Sequence, residues 1–248
     1  QDFENPQDGN TDNQYLVTIQ ADDGTNQSTQ EVLVDITDVN EAPSFSSGDS
    51  SLQNENTTTT GYVAAATDPE GATLTYSIPN TGADQAKFNI DPTTGTLTFL
   101  TPPDAENPTD ADGQNDYVVD IQVSDGQNTS VQTVTVDVSD INEAPEFGNT
   151  NTLSIAEGAT SPTLQASVTD PEGDSITWSI VGGADLSKFG ISSSGELSLN
   201  AAQDFENPQD GNTDNQYLVT IQADDGTNQS TQEVLVDITD VNEAPSFS

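Results

Sequence analysis

The residues from Gln1 to Ser46 recur without a single change as Gln203 to Ser248. A shorter period lies inside that one. Asp-Val-Asn-Glu-Ala-Pro ends at Pro43, Asp-Ile-Asn-Glu-Ala-Pro at Pro145, and Asp-Val-Asn-Glu-Ala-Pro again at Pro245. A chain that repeats roughly every 100 residues folds as a row of like units, each with a core of its own. The repeat predicts two complete domains, 44–145 and 146–245, preceded by the C-terminal part of a third at 1–43 and followed by the start of another at 246–248. Forty-three residues bury too little surface to fold unaided. The expectation is that an upstream half completes residues 1–43, with a neighbouring chain as the alternative. The chain reads as an excerpt from a longer array, so the absence of a secretory signal, a lipidation motif and a long apolar run decides little.

Charge narrows the chemistry. The chain carries 2 Lys+Arg against 43 Asp+Glu, a net charge of −41, and has no histidine, cysteine or methionine. No cationic patch can displace counterions from a nucleic acid or an anionic membrane surface. Disulfides, thiolate nucleophiles, Ser-His and Cys-His relays and soft-metal sites are all excluded. What remains is oxygen in carboxylates, amides and hydroxyls, the ligand set of a hard cation such as Ca²⁺.

An apolar content of 31% with so high a charge is a composition found in disordered chains. The order of the residues argues otherwise. In the second unit Leu153–Ala156, Leu164–Val168, Ile176–Ile180 and Glu196–Leu199 read as strands. Tyr217, Val219, Ile221 and Ala223 alternate with polar residues, as do Val234, Val236 and Ile238. Alternation of period two puts one face into a core and the other into water. Thr94-Gly95, Ser194-Gly195 and the Asp-Gly pairs at 23–24, 125–126 and 225–226 read as turns. No segment has helical periodicity, and about seven strands per unit predict an all-β sandwich.

Acidic elements recur in register in these units. The Asp-x-Asn-Glu-Ala-Pro linker gives Asp38, Asn40 and Glu41, then Asp140, Asn142 and Glu143, then Asp240, Asn242 and Glu243. Asp-x-Glu-Asn-Pro gives Asp2 and Glu4, Asp104 and Glu106, Asp204 and Glu206. Thr-Asp-Pro-Glu-Gly gives Asp68 and Glu70, then Asp170 and Glu172. Asp23, Asp125 and Asp225 close the Tyr-rich strand, and Glu55 and Glu157 stand near the start of each complete unit. Two bare carboxylates about 4 Å apart repel by roughly 4 kcal/mol at an effective dielectric near 20. A junction holding several of them should splay when empty and stiffen when a divalent cation enters. Any one of these residues alone reads as a solvated surface charge; the repeated set does not.

The linker, the Asp-x-Glu element, the Ala-Asp-Asp-Gly ending and the phrase Phe88, Ile90, Thr94, Gly95, Leu97 together resemble cadherin repeats, in particular the bacterial cadherin-like tandem repeats of large calcium-binding extracellular adhesins (the stalks of RTX-type adhesins). The resemblance covers essentially the whole chain. It implies tandem seven-stranded Greek-key sandwiches, cadherin- or immunoglobulin-like, in an elongated array with calcium between successive domains. Carried over residue by residue, it assigns Asp2, Glu4, Asp38, Asn40, Glu41, Asp68, Glu70 and Asp125 to the junction after Pro43. The junction after Pro145 receives Glu55, Asp104, Glu106, Asp140, Asn142, Glu143, Asp170, Glu172 and Asp225. Glu157, Asp204, Glu206, Asp240, Asn242 and Glu243 form the corresponding half-set at the end of the second unit. Two departures weaken the match. One Glu stands where the family linker has Asp-Asn, which removes a carbonyl ligand, and Asp-Pro-Glu replaces an Asp-x-Asp. Both favour fewer ions per junction than the family's full set.

Between the Asp-x-Glu element and the Tyr strand, Asp8-Gly9-Asn10-Thr11-Asp12, its copy at 210–214 and Asp110-Ala111-Asp112-Gly113-Gln114 place oxygens at alternate positions. That spacing resembles the opening of an EF-hand loop, giving an extra ion within each domain as one reading. The distal bidentate Glu is missing, which favours an Asx-rich surface turn. Trp178 reads as core, with a sugar-stacking platform as its alternative. Paired carboxylates could in principle do glycosidase chemistry. Here they repeat with the structural period instead of forming one pair in a cleft, so no catalysis is expected.

The function these features imply is a calcium-rigidified stalk segment of a giant adhesin or surface fibre, extracellular, serving cell adhesion or biofilm. The alternative is that the domains themselves bind glycan or a like domain, including self-assembly into a fibre by completion of residues 1–43. Neighbouring repeats of the same chain are the expected partners, with no nucleic acid and no membrane insertion in this segment.

Overall fold

A computed structural model describes residues 1–148, 151–159 and 163–244 of the chain. The expected start of a further repeat at 246–248 lies outside the described residues. The chain falls into two compact units, Gln1–Asp140 and Ile141–Ser248.

The first unit opens with a hairpin, β1 (Gln14–Asp22) against β2 (Gln27–Asp35), which forms a two-stranded sheet of its own. Its turn places Gly24 at φ 88°, a left-handed conformation that glycine adopts without strain. The domain that follows has β3 (Ser44–Phe45), β4 (Ser50–Asn54), β5 (Thr59–Val63), β6 (Ala66–Thr67), β7 (Thr75–Ser77), β8 (Phe88–Ile90), β9 (Thr96–Phe99), β10 (Asp116–Ser124) and β11 (Thr129–Ser139). They form a four-stranded sheet in the order β4-β11-β10-β7, a three-stranded sheet β5-β9-β8 and a short β3-β6 pair. The seven expected strands become nine pieces because the first two each break. β3 pairs antiparallel with β6, while β4 crosses to pair in parallel with β11.

The core between the sheets is built by the alternation visible in sequence. Tyr117, Val119, Ile121 and Val123 of β10 face inward with Val134, Val136 and Val138 of β11. Leu97, Phe88 and Phe99 meet them from the other sheet, with Phe88 and Phe99 stacked at 4.7 Å and Tyr117 edge-on to Phe99 at 5.2 Å. Gly95, at φ 71°, passes so close to the end of the neighbouring strand β5 that a Cβ there would lie 2.3 Å from the carbonyl oxygen of Ala64.

The second unit repeats the plan. It has β12 (Glu146–Phe147), β13 (Thr152–Ala156), β14 (Thr163–Gln165), β15 (Val168–Thr169), β16 (Thr177–Gly182), β17 (Phe189–Ile191), β18 (Glu196–Leu199), β19 (Gln216–Asp224) and β20 (Gln229–Thr239). The sheets are β13-β20-β19-β16, β14-β18-β17 and β12-β15. The single strand expected at Leu164–Val168 is two. β14 pairs with β18 and β15 with β12, so the chain changes sheets between them, and the Ala166 N–H is taken by the carbonyl of Gly195. Trp178 packs against the core, edge-on to Phe147 at 5.9 Å, so its apolar surface serves packing and not a sugar platform.

Two short 3₁₀ turns, Gln85–Lys87 and Leu186–Lys188, were not legible in sequence. They follow two buried carboxylates that were not singled out either. Asp84 accepts hydrogen bonds from Ala111 N–H (2.7 Å) and Val118 N–H (2.8 Å). Asp185 accepts from Gly211 N–H (2.8 Å) and Leu218 N–H (2.9 Å). Each ties the loop before the long Tyr strand, and that strand itself, to the segment leading into the 3₁₀ turn, so the buried polar oxygens are met by backbone donors.

Candidate metal centres

The linker after the first hairpin is fastened to the first domain by side chains that hold it from both directions. Asn40 Nδ2 donates to Asp125 Oδ2 at 2.7 Å, and Asn128 Nδ2 donates back to the Asn40 carbonyl at 2.7 Å. Asp125 can reach the linker because its Oδ1 closes the Asp-Gly turn, accepting from Gln127 N–H and Asn128 N–H, both at 2.6 Å. The Asn128 N–H, then Asn40, holds the Asp125 carboxyl below its ordinary range, so it stays an anion. One residue further, Glu41 N–H donates to Glu70 Oε1 at 3.4 Å. The second unit has the same clasp. Asn142 Nδ2 meets Asp225 Oδ2 at 3.0 Å, Asn228 Nδ2 meets the Asn142 carbonyl at 2.6 Å, and Glu143 N–H meets Glu172 Oε1 at 3.2 Å. The returning asparagines, Asn128 and Asn228, read in sequence as glycosylation sequons on loops and not as linker contacts, although both stand in the same Asp-Gly-Gln/Thr-Asn turn.

Carboxylates converge around these clasps. Glu4, Asp38 and Glu70 each bring an oxygen within 4.8 Å of the others. Glu41 is pushed up to about 7, first by sharing a hydrogen bond with Glu70, then by desolvation and the charges of Glu4 and Asp38. Desolvation and then, against its own backbone N–H, the charges of Asp38, Glu70 and Asp2 raise Glu4 as well. At the far end of the first domain Glu55, Asp104 and Glu106 form a second group. Glu55 is only 2% exposed and accepts from Ala105 N–H at 2.7 Å. At the end of the second domain Glu157, Glu206, Asp240 and Glu243 form a third. There the N–H groups of Val241 and Phe205, each at 2.7 Å, hold Glu157 low, while desolvation and then Glu157 and Glu206 push Glu243 up.

The donor chemistry fits a hard divalent cation. Asp68 uses one oxygen on Ala72 N–H at 2.9 Å, yet its Oδ2 and the Oε2 of Glu70 are sealed from solvent and accept no hydrogen bond. The same two oxygens are left over in the second unit, on Asp170 and Glu172. Enclosed anionic oxygens without a donor are costly unless a positive charge meets them.

Some expected ligands stand outside these groups. Asp2 turns back to accept from Glu4 N–H and Asn5 N–H at 3.1 Å, and Asp204 likewise from Glu206 and Asn207 N–H. Both carboxylates act as local turn closers. Asp140 is exposed. Asn242 donates to the Glu243 carbonyl at 3.4 Å.

No family model matches the chain. It is 33% identical to human Protocadherin Fat 1 over 75% of this chain and 4% of that protein. It is 28% identical to human Protocadherin gamma-C4 over 98% of this chain and 27% of that protein. The chain thus spans a small part of the length of the curated relatives it matches. Among solved structures, the Protocadherin GammaB4 extracellular domain superposes with a TM-score of 0.52 at 27% identity, covering 94% of this chain and 38% of that one. Human Protocadherin-24 EC1-2 gives 0.51 at 23%, covering 83% of this chain and all of that one. The fold is that of tandem cadherin sandwiches, and the units are similar to the extracellular repeats of cadherins. The relatives are cadherins, adhesion proteins and not enzymes.

Proposed function

We propose that the chain is a calcium-stiffened stalk segment of a large extracellular adhesin or surface fibre, serving to hold a binding module away from the cell. The observation that carries this reading is the junction after Pro43. A linker clasped by Asn40–Asp125 and Asn128 lies beside Glu4, Asp38, Glu41 and Glu70, with enclosed oxygens of Asp68 and Glu70 left without donors. Calcium, when bound, supplies the positive charge that lets these carboxylates stay close. The remaining expected ligands that stay available, Glu55, Asp104, Glu106, Asn142, Glu143, Asp170, Glu172 and Asp225 with the Glu157, Glu206, Asp240 and Glu243 set, serve the later junctions in the same way. The domain limits on this reading are 44–145 and 146–245. The verbatim recurrence of 46 residues supports a bacterial, highly repetitive parent protein over an animal cadherin.

The energetics suit an extracellular switch. Extracellular modules bind calcium at about 10⁻⁴–10⁻³ M. At millimolar calcium each site then adds roughly 1 kcal/mol by mass action. Small-angle scattering of the full chain in calcium and in EGTA tests the proposal. The maximum dimension is expected to lengthen and sharpen with calcium; an unchanged profile refutes the stalk.

One observation favours a second reading, self-assembly. Leu16, Ile19 and Leu33 of the β1–β2 hairpin are 62%, 52% and 52% exposed, a surface that a neighbouring chain could cover. Mass measurement in calcium separates the two, since monomers exclude completion by a second copy.

A further inference from the structure

Asp110, Asp112 and Asp116 each bring a carboxylate oxygen within 4.8 Å of the others. An acidic loop alone is unremarkable; the condition of its enclosed oxygens is not. Asp110 is 9% exposed and spends Oδ2 on Gln114 N–H at 2.9 Å, while its Oδ1 is shut off from solvent and accepts no hydrogen bond. Asn115 Oδ1 and Asp116 Oδ1 are in the same condition. Asn115 is held at φ 64°, with Nδ2 donating to the Ala105 carbonyl at 2.8 Å, so the amide orientation is fixed and the carbonyl oxygen is left over. The loop is anchored before and after by the Asp84 carboxylate. With 2 Lys+Arg in the whole chain, a side-chain cation is scarcely available to neutralise it.

We propose that Asp110, Asp112, Asn115 and Asp116 bind a calcium ion belonging to the first domain alone, separate from the linker groups. Three carboxylates and one amide carbonyl are oxygen donors only, and a flexible oxygen shell completed by water suits Ca²⁺ better than the strict octahedron of Mg²⁺. This overrides the Asx-turn reading for this copy of the loop, though not for the copies at 8–14 and 210–216. At 210–216 Asn212 replaces Asp112 and Gln216 replaces Asp116. There Asn212 Nδ2 donates to Asp214 Oδ2 at 2.8 Å, and Asp210 Oδ1 accepts Asn215 N–H at 3.3 Å. Neutral amides take the places of Asp112 and Asp116, Asp214 stands where Gln114 does, and the loop closes on itself save for Asn215 Oδ1, which accepts nothing. The chain therefore contains a site and its own control.

Calorimetric titration of the full chain with calcium chloride tests this. Asp112→Asn combined with Asp116→Gln rewrites the first loop toward the second, which already folds with those residues. The variant is expected to bind one calcium fewer per chain, with the remaining affinities unchanged; an unaltered stoichiometry overturns the proposal. If circular dichroism shows that this variant has lost its fold, Asn212→Asp with Gln216→Asp decides. It is expected to add one ion, and failure to add one overturns the proposal.

Discussion

The hairpin β1–β2 and the strands β19–β20 share their residues one for one, and they pair in the same register. Gln14 faces Asp35 in the first and Gln216 faces Asp237 in the second. Their surroundings differ. Val219 and Ile221 are fully buried, whereas Val17 and Ile19 are 47% and 52% exposed. Turn chemistry and β-branched residues thus suffice to fix a strand pair. A core is a property of two sheets, and the first hairpin has only its own.

That contrast is open to attack, beginning with its largest consequence. Ile221→Ala should cost about 2–5 kcal/mol, lost transfer energy plus a cavity, while Ile19→Ala should stay within about 0.5 kcal/mol. Trp178, the only tryptophan, reports urea unfolding of the second domain, and scanning calorimetry reports the rest. Equal costs at the two positions would mean that something covers the first hairpin. Calcium removal comes next. At about 1 kcal/mol per site, EGTA should lower the unfolding midpoint of the chain by several degrees in calorimetry, with the first hairpin's amides losing protection from hydrogen exchange at Asp35–Asn40.

The tyrosines give a smaller test. Tyr217 is buried, accepts Gln209 N–H at 3.0 Å and donates to Gln203 Oε1 at 2.8 Å. Tyr15 makes the same pair of bonds, to Gln7 N–H and Gln1 Oε1, in a more open setting. Tyr217→Phe should cost about 1–2 kcal/mol and Tyr15→Phe much less, read from the same unfolding curves. The smallest effect is in pH. Glu41 is raised to about 7, so its contribution favours the cation-free junction below the ordinary carboxylate range and is lost as pH rises through 7. Calcium competes for that proton, so affinity at the first junction should rise across the same window and fall below it. Glu41→Gln should flatten the profile in titrations at successive pH values.

Much of this architecture was legible from order alone. The period, the inward residues of β10 and β11, the Asp-Gly turns and most of the converging carboxylates each follow from a spacing that one physical rule explains. What escaped is what spacing does not encode. A strand that changes sheets between Gln165 and Val168 carries no turn residue to announce it. The 3₁₀ turns are three residues long, too short for any periodicity. Asp84 and Asp185 carry no signal in sequence because their donors lie more than twenty residues away. The closed and open versions of the 110–116 and 210–216 loops look alike until the enclosed oxygens are traced to their partners.

The parallel pairing of β4 with β11, Ser50–Asn54 alongside Thr135–Ser139, joins the opening strand of the first domain to its closing one. β13 and β20 repeat this arrangement in the second. A pull applied at the two ends of either domain runs along these strands in opposite senses, loading every bond of the ladder in shear at once instead of peeling them singly. Tensile strength is thereby built into each domain by the pairing of its own opening and closing strands.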